Sequence, residues 1–381
     1  GDQEEPPPST PIFYGGISVY LEQASALFRH MPRPLYRTLN APALLRWVSR
    51  FAIETRPENL GAMTVSVLAG RDGRQRAELD RLLEFLESGP RPNLVSLTNS
   101  LLSGIAPEVQ RRLRVPVVCS LQGEDAFVEA MGEPHRARAV EWMRANAASI
   151  ALFFAPGEAY RQRMAAYLEI PLERVRLVRP GINLEAFQVS PAPPPRFTVG
   201  YLSVITPGKG LDVLVEAVRI LVREEGRPVK LRVAGRILNK HYWESVLARI
   251  GAYQLDLDFE YLGELGFAEK REMLRTCSAF SVPSRFHECR GMAVLEAMAV
   301  GTPVAVPASG VYPEVIKLTE GGELFRPEDP ADLARALGRL MDSPERAVEL
   351  GRKGAQGVAR YFDARRMAQE VADACATLLP G

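Results

Sequence analysis

"FTVGYLSVITPGKGLDVLVEAVRILVREE", residues 197–225, decides the fold. Its opening is an apolar run of strand length, rich in β-branched and aromatic residues. The run breaks at Thr206-Pro207-Gly208-Lys209-Gly210 and resumes with apolar positions at helical spacing, among them Leu211, Leu214, Val215 and Val218. A second short run, "VKLRVAG", follows at 229–235. Strand, helix, strand in this order predicts two parallel neighbours joined by a helical crossover.

The same alternation extends outward in both directions. Before this stretch, "MTVSVLAG", "NLVSLTN", "VPVVCSLQ", "SIALFFAP" and "RVRLVRPG" read as strands, with helical patterns such as "GRQRAELDRLLEFLE" and "GEAYRQRMAAYLE" between them. After it, "LDFEYLG", "SAFSVPS" and "TPVAVPA" read as strands, separated by "YWESVLARIGAY", "AEKREMLRTC" and "GMAVLEAMAVG". The expectation is α/β, with two doubly wound parallel sheets covered on both faces. "QVSPAPPPR", residues 188–196, is too proline-rich for regular structure and divides the halves. The expected domains are residues 1–190, a linker at 191–196, and residues 197–360. Residues 361–381 form a C-terminal helix whose candidate partner is the N-terminal domain. The polar, proline-rich start leads straight into "YGGISVYLEQASALF", so the opening strand of the first sheet lies upstream or is absent.

Composition narrows the function classes. A chain of 381 residues, 46% hydrophobic and 24% charged, is globular, and on about 150 residues per domain it holds two cores. A net charge of +1 gives no global pull toward nucleic acid. The four cysteines lack zinc or disulfide spacing, which suits a reducing cytoplasm and predicts no metal site. No run of about 18 apolar residues suggests a membrane span. Residues 28–51, with Arg29, Arg33, Arg37, Arg46, Arg50 and Trp47, have the composition of a rim helix or of a segment lying on the inner face of a membrane.

Ligands of parallel α/β domains sit at the carboxyl ends of the strands, where helix N-termini favour phosphate. Gly15 and Gly16, just before a helical pattern, allow close amide approach to an anion or form an ordinary turn. Lys209 lacks the P-loop spacing but opens a helix, where it balances a diphosphate or is simply solvated. In "HECRGMAVLEAM", residues 287–298, Glu288 falls in a loop and Glu296 inside the helix begun near Gly291, with Met292, Leu295 and Ala299 on one face. The pair grips two ends of one ligand or is a pair of surface carboxylates. His287, beside Glu288, is the histidine nearest this chemistry.

Taken in order, "VGYLSVITPGKGLDVLVEAV", "LRVAG", "LDFEYLGEL", "CSAFSVPSRFHECRGMAVLEAMAVGTPVAVPASGVYPEVI" and "GGELFRPEDPADLARALGRLM" resemble the nucleotide-sugar-binding domain of retaining glycosyltransferases of family 4. Glu288 and Glu296 match that family's E-x7-E motif. The resemblance implies the GT-B fold, with two Rossmann-like domains facing across a cleft. It implies retaining transfer from a nucleotide-diphosphate sugar, of UDP, GDP or ADP type, to a hydroxyl acceptor (glycan, lipid or small molecule), without a cofactor. Glu288 would meet the transferred sugar, Glu296 the ribose, and Gly291, Met292 and Ala293 the diphosphate. Lys209 would balance the leaving group's charge, and Gly15 and Gly16 would meet donor and acceptor. The chain departs from the pattern twice. Tyr201 stands where the family has an arginine, and Gln122, in "LQGED", stands where it often has a histidine. Glu124 and Asp125 are acceptor-side candidates in that loop. A nucleotide-sugar-binding protein without activity, or a sugar-nucleotide epimerase, remains the alternative.

Overall fold

Nearly every apolar run named above forms a strand, and the strands assemble into two separate parallel sheets. The computed structural model describes residues 57–189, 194–255 and 258–379; Gly15, Gly16 and the arginine-rich segment 28–51 lie outside them. The chain divides into two compact units. One comprises residues 1–155, 161–177 and 372–381, and the other residues 156–160 and 178–371. The second unit thus begins before the proline-rich run, because Ile182 joins its core and Leu184 and Phe187 pack against it.

In the first unit, α1 (Pro57–Leu68) and α2 (Arg76–Ser88) precede β1 (Val95–Leu97). Then come α3 (Ala106–Leu113), β2 (Val117–Ser120), α4 (Glu124–Glu129), α5 (His135–Ala147), β3 (Leu152–Ala155), α6 (Glu158–Tyr167), whose first three residues group with the second unit, and β4 (Val175–Leu177). The four strands pair in parallel in chain order. β3 is buried at every position, as a strand covered on both faces must be.

One expectation fails here. "MTVSVLAG" is not a strand: residues 63–68 complete α1. Local preference for β structure at Thr64, Val65 and Val67 loses to tertiary packing. Pro57 sits in the first turn, where a missing N–H costs no hydrogen bond. At the other end the buried Asn146 amide donates to the Leu68 carbonyl at 2.8 Å, satisfying an acceptor that a helix terminus leaves open. Backbone packing completes the end, since a Cβ on Gly104 would lie 2.3 Å from the Val67 oxygen.

The second unit holds β5 (Thr198–Leu202), α7 (Leu211–Arg219), β6 (Lys230–Ala234), α8 (Lys240–Ala252), β7 (Phe259–Tyr261) and α9 (Phe267–Arg275). It continues with β8 (Ala279–Phe280), α10 (Met292–Ala299), β9 (Val304–Pro307), α11 (Tyr312–Thr319), β10 (Gly322–Phe325), α12 (Pro330–Asp342), α13 (Pro344–Tyr361) and α14 (Ala364–Ala376), whose residues from 372 on group with the first unit. The helical pattern after Gly210 runs past α7 as a π-turn over Ile220–Glu224. The sheet order is β10-β9-β8-β5-β6-β7, all parallel. β10, inside "GGELF", is a strand that the apolar pattern does not signal.

From β5 the chain winds outward through β6 and β7, then returns to add β8 on the other side of β5. The carboxyl ends of β5 and β8 therefore diverge, and the loops that follow them leave a crevice at the place where the strand order reverses. Among the described residues no helix is long and apolar enough to cross a membrane.

Candidate functional site

The crevice of the second unit is built from three loops, one after β5, one after β8 and one after β9. The first ends in a turn at Pro207–Lys209 and in Gly210, whose φ of 68° is left-handed. A Cβ on Gly210 would stand 2.0 Å from the Pro283 carbonyl oxygen, so both conformation and space require glycine. This contact seats the β5 loop on the β8 loop. Arg285 secures it from the other direction: its backbone N–H donates to the Gly208 carbonyl at 2.9 Å, and its guanidinium to the Pro207 carbonyl at 2.6 Å.

The same guanidinium grips Asp212, in the first turn of α7, with bonds of 2.8 and 2.9 Å. The Tyr242 hydroxyl donates to that carboxylate at 2.6 Å. Burial by itself would raise the Asp212 carboxyl, but the bonds from Arg285 and Tyr242 outweigh it and hold the group below the usual carboxylate range. Asp212 is therefore a fixed anion that orients Arg285.

Between these loops Lys209 Nζ meets Glu288 Oε2 at 2.5 Å, each side chain 21% exposed. The β9 loop holds Glu288 from behind. Val311 N–H donates to the Glu288 carbonyl at 2.7 Å, and a Cβ on Gly310 would lie 2.5 Å from that oxygen. Three residues on, Gly291 (φ 64°) starts α10 with the buried Tyr312 ring beneath it. On α10, Val294, Leu295, Ala297 and Met298 are buried while Met292, Ala293 and Glu296 stay half-buried. Met292 thus lies on the accessible face with Glu296, not with Leu295 in the core. Glu296 Oε1 bonds Lys270 Nζ of α9 at 2.7 Å.

The structure brings Lys209, Glu288 and the start of α10 together, and it places Glu296 with Lys270. His287 is exposed at the mouth. Tyr201 is fully buried, its hydroxyl 3.5 Å from the Lys209 carbonyl, so it props the loop from inside and offers no surface to a ligand. In the first unit Gln122 follows β2, its side-chain amide donating to the Thr98 carbonyl at 2.7 Å. Glu124 is buried and accepts from the Ser100 and Gln122 amides at 2.8 and 2.6 Å, while buried Asp125 bonds Arg163 at 2.6 Å. Glu124 thus holds the turn that leads into α4, and Asp125 ties α4 to α6. Lys270, Arg285 and Gly310 carry no sequence signal of their own, since each gains its place only through a non-local contact.

Comparison with known proteins gives a consistent result. Residues 183–357 match the family described as "Glycosyl transferases group 1", and residues 15–181 match "Glycosyl transferase 4-like domain". A D-inositol 3-phosphate glycosyltransferase of Thermobispora bispora is 29% identical over 216 residues, covering 50% of this chain and 48% of the relative. An MMP alpha-(1->4)-mannosyltransferase of Mycolicibacterium hassiacum is 27% identical over 199 residues, covering 52% and 47%. The chain spans about half the length of the curated relatives it matches. Among solved structures, Anabaena Alr3699/HepE in complex with UDP superposes with a TM-score of 0.69 at 17% identity, covering 79% of this chain and 82% of that one. The sucrose-phosphate synthase of Thermosynechococcus elongatus gives 0.67 at 19% identity, covering 80% and 79%. These structures share the fold, the GT-B architecture.

Proposed function

Since the chain belongs to the family 4 type of glycosyltransferase, we propose that it moves a sugar from a nucleotide-diphosphate donor to a hydroxyl acceptor with retention at the anomeric carbon. The observation that carries this reading is the Lys209–Glu288 pair beside the N-terminus of α10, at the reversal of strand order. A cation, a carboxylate and unfilled helix amides at one crevice match the three parts of such a donor: diphosphate, sugar and the bond between them. Solved structures of this fold in complex with UDP and with UDP-glucose add support.

On this reading the bond from C1 to the phosphate oxygen breaks, its electron pair stays on the diphosphate, and the acceptor oxygen bonds C1 while its proton passes to the leaving phosphate. Lys209 and the amides of Gly291, Met292 and Ala293 stabilise the charge as it develops. Glu288, released from Lys209 when the donor enters, takes the sugar hydroxyls. Glu296 accepts from the ribose. No imidazole is required at Gln122, because the leaving phosphate takes the proton.

Calorimetric binding of UDP-glucose, GDP-mannose and ADP-glucose tests the donor, followed by nucleotide release with glycerol, glucose and inositol phosphate as trial acceptors. The expected result is tight binding of one donor, nucleotide release, and an axial product linkage by NMR. Glu288→Ala and Lys209→Ala should each lower turnover by about 100-fold or more. Binding without release under every acceptor would leave a sugar-nucleotide carrier. Conversion of the labelled donor without acceptor would make the protein an epimerase.

A further inference from the structure

Gly208 is not required by its backbone, since its φ lies outside the left-handed region that Gly210 occupies. What lies over it is an aromatic ring: a Cβ on Gly208 would stand 1.9 Å from Cε2 and 2.1 Å from Cζ of Phe286. The absence of a Cβ at Gly208 lets the ring rest directly on the loop. Yet Phe286 remains 51% exposed, so the ring lies against Gly208 while about half of the residue's surface stays accessible. Its backbone is equally fixed, between Arg285 on the Gly208 carbonyl and a 3.4 Å bond from the Ser284 hydroxyl to the Phe286 carbonyl.

Its place says what would cover it. Phe286 is two residues before Glu288 and lies on the residue next to Lys209, and those two charges meet each other. An apolar plate beside a carboxylate and an ammonium is complementary to a pyranose, which has hydroxyls at its edge and a C–H face. We propose that Phe286 is a specificity-determining residue, its open face packing against the C–H face of the transferred hexose. This rests on the donor reading above and adds to it the group that tells a nucleotide sugar from the bare nucleotide.

The test compares Kd values for UDP and UDP-glucose, GDP and GDP-mannose, and ADP and ADP-glucose in the wild type, Phe286→Ala and Phe286→Tyr. The wild type should prefer the sugar form of one pair. Phe286→Ala should weaken that sugar form roughly three- to tenfold, with the bare nucleotide held within about twofold, and Phe286→Tyr should keep the preference. An equal loss for nucleotide and nucleotide sugar, or an unchanged preference in Phe286→Ala, overturns the assignment while leaving the donor site standing. A wild type that binds none of the six ligands overturns the donor reading and this inference together. Melting curves identify an unfolded Phe286→Ala, in which case Phe286→Leu, flexible and non-planar, should show the same selective loss.

Discussion

Asp212 and Arg285 show how a single residue contact sets a loop. The Asp212 carboxyl is held below its ordinary value in the folded chain, against about 3.9 when unfolded. Its ionised form therefore adds stability above about pH 4, and this is lost as the pH falls through the lower folded-state value. Urea unfolding of Asp212→Asn should show a deficit of about 1–3 kcal/mol near pH 7 that shrinks toward zero below about pH 4. A deficit independent of pH would place the effect in packing instead. Gly208 gives a second residue-scale expectation. Gly208→Ala sets a methyl against the far end of a half-exposed ring that can turn aside, so it should cost less than about 1 kcal/mol, and that cost should vanish in the Phe286→Ala background. Such couplings are invisible in sequence. "PSRFHE" shows an arginine and a phenylalanine without saying that one clamps a loop and the other occupies the space above a distant glycine.

At the scale of elements, strands were the most readable part. "VPVVCSLQ" and "TPVAVPA" declare β2 and β9 because strands buried on both faces need unbroken apolar residues. "MTVSVLAG" misleads for the converse reason: its β-branched residues sit in α1, whose end is completed by Asn146 from α5, far along the chain. Asn146→Ala should remove that capping bond and lower stability by about 1–2 kcal/mol, read by chemical denaturation. β10 escaped because its glycine and glutamate dilute the apolar signal, while Gly322 is needed where a Cβ would lie 2.1 Å from the Val304 oxygen. Within the candidate site, "HECRGMAVLEAM" disclosed the loop-to-helix junction and both glutamates. Lys270, on an ordinary amphipathic helix, disclosed nothing until α9 met α10. Lys270→Met removes one partner of a pair whose side chains are only 20% and 15% exposed, and should lower stability by about 1–3 kcal/mol. It should also reduce discrimination between UDP and its 2′-deoxy form, if Glu296 faces the ribose as proposed.

For the whole molecule, the division into two units assigns the proposed donor contacts to one of them. Lys209, Gly291 and Glu296 all belong to the unit that contains residues 178–371. Donor binding should therefore stabilise that unit by mass action, by about 2.7 kcal/mol at a hundredfold excess over Kd. Hydrogen exchange with bound nucleotide should show new protection concentrated at residues 207–212 and 284–296. Protection confined to residues 95–125 would move the nucleotide to the other unit. Composition and strand pattern already announced two parallel α/β units. The boundary escaped them, since Ile182 joins the second core and Phe187 packs against it ahead of the prolines.

The contacts that seat the three crevice loops at Gly210 and Gly310 are made by main chain against main chain. The shape of the crevice is thus written in atoms that every amino acid shares. A combinatorial library that randomises positions 286, 287 and 290 while keeping those glycines and Arg285 should yield mostly folded proteins, differing in which sugars they accept. One that randomises the glycines should yield few. The loop is, in effect, a fixed socket with interchangeable teeth.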